Sequence, residues 1–128
     1  MTTAFWCVFI AALLPYVFVG IAKIGTGKRY DNEKPRDFLE TVSGRNKRAH
    51  WAQLNSFEAF PAFAAAVIIA HIVSVEQQTI DIYAMTFIGA RIAYGVCYIA
   101  NWASLRSLCW MVGFACMIGL FITSGNQV

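Results

Sequence analysis

One arginine stands inside a segment that otherwise consists almost wholly of apolar residues. Arg91 lies between Ile82 and Leu105, and Tyr94 and Tyr98 follow it at spacings of three and seven residues. Residues at these spacings share one face of a helix. A charge at the bilayer centre costs roughly 2.5 to 3.5 kcal/mol on insertion scales, so it normally faces a bundle interior or a water-filled cavity. The face that carries Arg91 is therefore a candidate binding site.

A second polar face lies at the start of the apolar segment that precedes the segment with Arg91. Arg48, Asn55 and Glu58 are spaced by seven and three residues, which places them on one helix face. The chain after Glu58 is almost wholly apolar, so this carboxylate lies within a predicted span. Counted from the same end of the bundle, Glu58 and Arg91 reach similar depths, and an ion pair between them would neutralise both charges. Such a pair could lock a bundle without any ligand, although buried ion pairs contribute little net stability.

The composition indicates that these faces belong to a membrane protein. Hydrophobic residues make up 59% of the 128 residues and charged residues 13%, and the mean hydropathy is +0.56. Soluble domains average about 45–50% apolar and about 25% charged residues. A span needs about 20 apolar residues, so four spans nearly use the whole length. We therefore predict an all-α integral membrane four-helix bundle, a single domain over residues 1–128, with spans at about 5–22, 52–75, 80–100 and 105–123.

The basic residues predict the orientation of the bundle. Eight of the ten Lys and Arg residues lie in the loop 23–51, and none lies in the loop between the second and third spans. Cytoplasmic loops carry such an excess, so this loop is expected in the cytoplasm and both termini on the opposite side of a bacterial inner membrane. The positive charge then reflects topology, and we expect no nucleic-acid partner. A short helix is expected within the loop at Pro35–Val42.

The cysteines give no sign of a metal site. Cys7, Cys97, Cys109 and Cys116 all fall within predicted spans, and their spacing matches neither a zinc site nor a CxxC motif. We interpret them as small buried hydrophobic residues and expect no metal.

The two polar faces resemble the motifs of a known family, the membrane-associated proteins in eicosanoid and glutathione metabolism (MAPEG). The first motif is Arg48-Ala49-x-x-Ala52-x-x-Asn55-x-x-Glu58-x-x-Pro61. The second is Ala90-Arg91-x-x-Tyr94-x-x-x-Tyr98. The resemblance covers essentially the whole chain, which is similar to a short, bacterial-type member. Leu54 stands immediately before Asn55, where the better-studied transferases often carry a basic residue.

The resemblance implies both an assembly and a function. Members form homotrimers of four-helix bundles that bind glutathione, as a co-substrate, between subunits near the cytoplasmic side. Several transfer its thiol to lipophilic electrophiles that arrive through the membrane lipids, or reduce lipid hydroperoxides, and such activity serves detoxification. The chain is thus expected to be a glutathione S-transferase-like enzyme with a possible peroxidase activity.

The resemblance also assigns residues. It implies that glutathione contacts six side chains of the two polar faces, namely Arg48, Asn55, Glu58, Arg91, Tyr94 and Tyr98. Arginine forks suit carboxylates, and Glu58 suits the ammonium group. Arg106 resembles the family arginine that activates the thiol, because a neighbouring cation lowers a thiol pKa from its usual value of about 8.5. Ser107 is an alternative catalytic hydrogen-bond donor.

Three other functional classes stay open. The same fold could bind a lipid or glutathione without turnover, or its polar face could serve only to lock the oligomer. Small multidrug transporters also have four spans and an intramembrane glutamate. Their carboxylate lies in the first span, however, where this chain has none, and the long basic first loop also fits that class poorly.

Overall fold

The computed structural model describes residues 1–128 and contains five helices and no strand. The helices are α1 (Thr3–Lys23), α2 (Pro35–Thr41), α3 (Gly44–Ile72), α4 (Gln77–Ile99) and α5 (Ala103–Gly125). All except α2 are long and apolar enough to cross a membrane. The predicted all-α membrane bundle with four candidate spans is therefore confirmed.

The helices depart from the predicted segments mainly at the start of α3. This helix begins at Gly44, whereas the span was predicted from residue 52 and the loop to residue 51. Hydropathy detects the part of a helix that suits lipid and misses its polar turns. Those turns contain Arg45, Lys47 and Arg48, which are good helix formers. The short helix expected at Pro35–Val42 is confirmed at Pro35–Thr41.

Helices α3 and α4 pack against each other at the centre of the bundle. Helix α1 contacts both of them on one side, and α5 contacts both on the other. The core between α3 and α4 includes the stacked rings of Phe63 and Phe87, whose centroids are 3.8 Å apart. Where α1 meets α4, the ring of Phe18 occupies the space that a side chain at position 95 would need, so glycine there permits the close approach.

A tight turn fixes the start of α5 against the end of α4. Asn101 adopts a left-handed conformation with φ 63°. The backbone N–H of Trp102 donates to the carbonyl of Cys97 at 2.8 Å, and that of Asn101 donates to the carbonyl of Tyr98 at 3.1 Å. This closure satisfies carbonyls that the helix end leaves free. It also brings the first turns of α5 beside the last turns of α4, where the predicted catalytic residues lie.

The basic loop packs over the same end of the bundle. Phe38, Leu39 and Val42 form a small core with residues of α1 and α3. The Nδ2 of Asn46 donates to three carbonyls at the end of α1, those of Ile21, Ala22 and Ile24. The end of α1 is thereby fixed to the start of α3.

Candidate functional site

The predicted polar faces meet where α3, α4 and α5 come together. Two shallow hollows there form what we call the polar groove. It is lined by Trp51, Leu54, Asn55, Glu58, Tyr94, Tyr98, Arg106, Ser107, Trp110 and Met111. Behind the groove lies a more enclosed space of about 220 Å³, which we call the inner cavity. It is lined by Asn55, Glu58, Ala59, Ala62, Phe87, Arg91, Trp110, Phe114 and Met117. Asn55, Glu58 and Trp110 line both spaces.

Two arginines and two tyrosines form a stacked series along the site. The Cζ of Arg91 lies 4.3 Å from the ring centroid of Tyr94, and the Cζ of Arg106 lies 4.5 Å from that of Tyr98. The two tyrosine rings meet edge to face at 5.6 Å. Cation–π contacts of this kind hold a guanidinium without neutralising its charge. The series therefore presents Arg106 in the groove and holds Arg91 behind it.

Asn55 and Glu58 form a pair at the junction of the groove and the cavity. The Nδ2 of Asn55 donates to Oε2 of Glu58 at 3.1 Å. The Oδ1 of Asn55 is buried and has no hydrogen-bond partner. A buried polar atom without a partner is uncommon and destabilising, so this oxygen is suited to accept a donor from a bound molecule.

Arg91 is the most deeply buried charge of the site, with 3% of its surface exposed. Its Nη2 donates to Oγ of Ser56 at 3.3 Å, and this Oγ donates to the carbonyl of Ala52 at 2.8 Å. Arg91 forms no ion pair. The ion pairs of the chain are those of Glu40 with Lys47 and with His50. The ion pair between Glu58 and Arg91 that could have locked the bundle without a ligand is therefore absent. Both side chains line the inner cavity, but they lie too far apart to form an ion pair.

Arg48 lies apart from the other predicted site residues. Its Nε and Nη2 donate to the carbonyl of Ile99 at 3.1 and 3.0 Å. Ile99 is the last residue of α4, whose final carbonyls lack partners within the helix. Arg48 shares a face with Asn55 as predicted, but its long side chain reaches the end of α4 and lines neither space.

The structure brings the other predicted residues together. Asn55, Glu58, Tyr94, Tyr98, Arg106 and Ser107 all line the groove, and Arg91 lines the cavity. The hydroxyl of Ser107 donates to the carbonyl of Ala103 at 3.2 Å, so it is already engaged within its helix. Arg106 has no such internal partner and faces the groove with its guanidinium.

Sequence reasoning missed the apolar part of the site. Trp110, Phe114 and Met117 line the cavity from α5. Their spacing of four, eight and eleven residues from Arg106 continues one helix face, and this was the available signal. Ser56 carried no signal, because a lone serine in a span usually bonds its own helix.

Comparison with protein-family models identifies one match over almost the whole chain. Residues 3–126 match the model described as MAPEG family. The matched region contains all five helices and every residue of the groove and the cavity. No curated protein sequence matches the chain.

Proposed function

The chain belongs to the MAPEG family, and we propose that it is a glutathione-dependent membrane transferase or peroxidase. Its substrates in this proposal are lipophilic electrophiles or lipid hydroperoxides. One observation carries the proposal: the polar groove places the Glu58 carboxylate and the Arg106 guanidinium along one surface, with the unpartnered Oδ1 of Asn55 beside them. Glutathione has complementary groups, namely an ammonium, amide N–H donors, two carboxylates and a thiol.

The chain's side chains suggest how glutathione would be oriented. Glu58 is exposed in the groove and suits the ammonium group. The Oδ1 of Asn55 suits an N–H donor of the peptide, and the phenol of Tyr98 lies between these residues and α5. By resemblance to the family, Arg48 and Arg91 remain candidates to bind the two carboxylates of glutathione. In the present geometry Arg48 would first have to release the Ile99 carbonyl, and Arg91 lies behind Tyr94.

Arg106 is the proposed catalytic residue. When bound, glutathione would supply a thiol that loses its proton to solvent and whose sulfur bonds to an electrophilic carbon as the leaving group departs with the electrons of its bond to that carbon. With a hydroperoxide, two thiols would reduce the O–O bond to give an alcohol, a disulfide and water. The guanidinium of Arg106 favours the thiolate over the thiol, and the thiolate is the nucleophile. Tyr98 holds this guanidinium on its ring face. Ser107 is the weaker candidate, since its hydroxyl already bonds Ala103.

The proposal includes a homotrimer. Glu58 and the polar groove open on the outside of the single bundle, at a level where the neighbouring helices are apolar. Polar groups at membrane depth are not left facing lipid. A second subunit that covers the groove would exclude lipid and leave an opening to the cytoplasmic side for glutathione. Cross-linking and mass measurement of the purified protein test this assembly.

The test of the function compares two substitutions of Arg106 with a control. Conjugation of glutathione to a lipophilic model electrophile is measured in proteoliposomes, and glutathione binding is measured on the same preparations. We expect Arg106→Ala to lower turnover by roughly 100-fold while most of the glutathione affinity remains, as when one transition-state donor is removed. Arg106→Lys should retain part of the rate, and Arg45→Ala, outside the groove, should match the wild type. Unchanged turnover in Arg106→Ala would reject the assignment.

A non-catalytic lipid- or glutathione-binding protein of the same fold is the second candidate. The apolar lining of the inner cavity favours it, because such a lining suits a lipid and contributes no reacting group. This alternative predicts wild-type binding without turnover. If the polar face is only structural, Arg91→Ala should dissociate the oligomer in detergent, whereas a ligand-binding role predicts that the oligomer survives.

A further inference from the structure

Two of the four cysteines meet at a place that the proposed function does not use. Cys97 lies in the last turn of α4, and Cys109 lies in the second turn of α5. The thiol of Cys97 is within hydrogen-bonding reach of the thiol of Cys109, and both are free cysteines. Neither lines the polar groove or the inner cavity. A role as small hydrophobic residues accounts for their burial but does not require that their sulfurs meet.

The register of the α4–α5 hairpin brings these two thiols together. A Cβ added at Gly113 would lie 3.8 Å from the Cβ of Ala90, so the two helices are level at these positions. Counted from there in antiparallel register, Cys109 lies about three residues, or roughly 4.5 Å, further from the turn than Cys97. Side chains lean towards the N-terminus of their helix, which is away from the turn on α4 and towards it on α5. The two side chains therefore lean towards each other.

The two cysteines differ in exposure, which gives them different access to a reagent. Cys97 is only 4% exposed, whereas Cys109 is partly exposed. Leu105 and Val112 lie four residues before and three residues after Cys109, on the same side of α5, and both are exposed. Because α5 is a candidate membrane span, this apolar side faces lipid. A reagent dissolved in the membrane therefore reaches Cys109 first.

We propose that Cys97 and Cys109 are a dithiol that reduces an organic hydroperoxide dissolved in the membrane and closes to a disulfide. The thiolate of Cys109 attacks the terminal oxygen, the O–O bond breaks, and the alkoxide takes up a proton to leave as the alcohol. Cys109 is then a sulfenic acid, and the thiol of Cys97 condenses with it to form the S–S bond and release water. One hydroperoxide and two thiols thus give one alcohol, one water and one disulfide. Two equivalents of a low-molecular-weight thiol restore the dithiol by exchange.

Closure of the disulfide requires a small movement, and the position of Cys97 permits it. The two sulfurs must approach to about 2.05 Å. Cys97 lies two residues before Ile99, the last residue of α4, and helix ends are less firmly held than helix interiors. The reaction uses no residue of the polar groove and no glutathione site, so it goes beyond the proposed function and does not rest on it.

Two double variants test the dithiol in lipid nanodiscs without glutathione. Cys7→Ser with Cys116→Ser keeps only the proposed pair, and Cys97→Ser with Cys109→Ser keeps only the other two cysteines, which are buried. Cumene hydroperoxide is the probe, and the intact mass is recorded after the remaining thiols are alkylated in denaturant. We expect the first variant to form one disulfide within the chain and to release one cumyl alcohol, whereas both thiols of the second variant should still be alkylated. Equal oxidation of the two variants, or a disulfide only between chains, would overturn the proposal.

Single substitutions in the first variant test the order in which the two thiols react. Cys97→Ser should stop the reaction at a sulfenic acid of Cys109, which dimedone traps. Cys109→Ser should react roughly tenfold more slowly, because the remaining thiol is buried. Hydrogen peroxide at the same concentration should oxidise the intact pair several-fold more slowly than cumene hydroperoxide, since it partitions into water. Faster oxidation of Cys97 alone than of Cys109 alone, or no preference for the lipophilic peroxide, would contradict the proposal.

Glutathione assays on the same variants separate the dithiol from the proposed function. The variant without the pair keeps every residue of the polar groove. Wild-type conjugation by this variant, together with no disulfide in the variant that keeps the pair, would reject the dithiol and retain the enzyme. Disulfide formation in a protein that does not bind glutathione would reject the proposed function and retain the dithiol.

Discussion

Three arginines lie at or near the candidate site, in three different surroundings. Arg106 is stacked on Tyr98 and faces the groove, Arg91 is buried beside Ser56, and Arg48 bonds the Ile99 carbonyl. Residue types and spacing were sufficient to select these arginines and the faces that carry them. Spacing along one helix could not show which groups on the other helices these arginines would contact. The partner of Arg48 is a backbone carbonyl at a helix end, which has no side-chain signature in the sequence.

The surroundings of Arg48 predict a stabilising role. In Arg48→Ala the carbonyl of Ile99 loses both of its side-chain hydrogen bonds, and such a loss costs about 1–3 kcal/mol of unfolding free energy. Thermal unfolding of the purified protein should show a lower midpoint for Arg48→Ala than for Arg45→Ala, whose side chain is exposed. Unaltered stability combined with a loss of glutathione affinity would instead identify Arg48 as a ligand.

A substitution of Leu54 tests whether the affinity for glutathione can be raised. It is 45% exposed and lines the groove beside Asn55 and Glu58. Leu54→Arg would add a guanidinium on the α3 side of the groove, opposite Arg106 on α5, and a carboxylate of glutathione could pair with it. We expect calorimetry to show a several-fold tighter dissociation constant. Leu54→Met keeps the apolar character and should bind as the wild type does. A weaker affinity in Leu54→Arg would indicate that glutathione does not use this part of the groove.

Among the helices, hydropathy determines which segments form long spans, whereas close packing determines how those spans meet. The four long helices could be predicted from apolar length, but the first two turns of α3 could not, because they are polar and helical at once. Glycines within spans can permit close helix approach. Not every glycine lies at such a contact. A Cβ added at Gly119 would lie 2.6 Å from the ring of Tyr83, whereas a Cβ added at Gly89 would meet no atom within 4 Å. That distinction depends on which helices become neighbours.

A matched pair of glycine substitutions tests the packing of α1 on α4. In Gly95→Ala the new methyl group would overlap the buried ring of Phe18, and overpacking of this kind typically costs about 1–3 kcal/mol. Gly89→Ala meets no neighbouring atom and gains helix propensity, so its stability should equal or exceed that of the wild type. Thermal unfolding of both variants measures the difference. Equal midpoints for the two would show that α1 does not approach α4 this closely.

In the whole molecule, the basic loop that predicts the membrane orientation lies at the same end of the bundle as the polar groove. Eight basic residues lie between residues 23 and 51, where α2 and its loop cover one end of the bundle. The groove opens near that same end, because Arg106 and Ser107 begin α5 there. If the loop is cytoplasmic, the groove is accessible to a water-soluble cytoplasmic thiol, while the apolar cavity behind it extends towards the middle of the membrane.

Cysteine labelling tests this sidedness. In a variant whose four native cysteines are serines, Thr26→Cys places a thiol in the basic loop and Gln78→Cys places one at the opposite end of the bundle. A membrane-impermeant maleimide added to intact bacterial spheroplasts should label Gln78→Cys, and Thr26→Cys only after the membrane is opened. The reverse pattern would place the groove on the outer side and contradict the access of cytoplasmic glutathione.

The most direct test of the central claim is calorimetric titration of the purified protein with glutathione, with ultraviolet absorbance of the thiolate recorded on the same samples. We expect glutathione to bind and to show a thiolate signal near neutral pH, because the Arg106 guanidinium favours the ionised sulfur. Arg106→Ala should lose this signal while most of the binding remains. Absence of binding by intact protein, or binding without any thiolate signal, would contradict the proposed function.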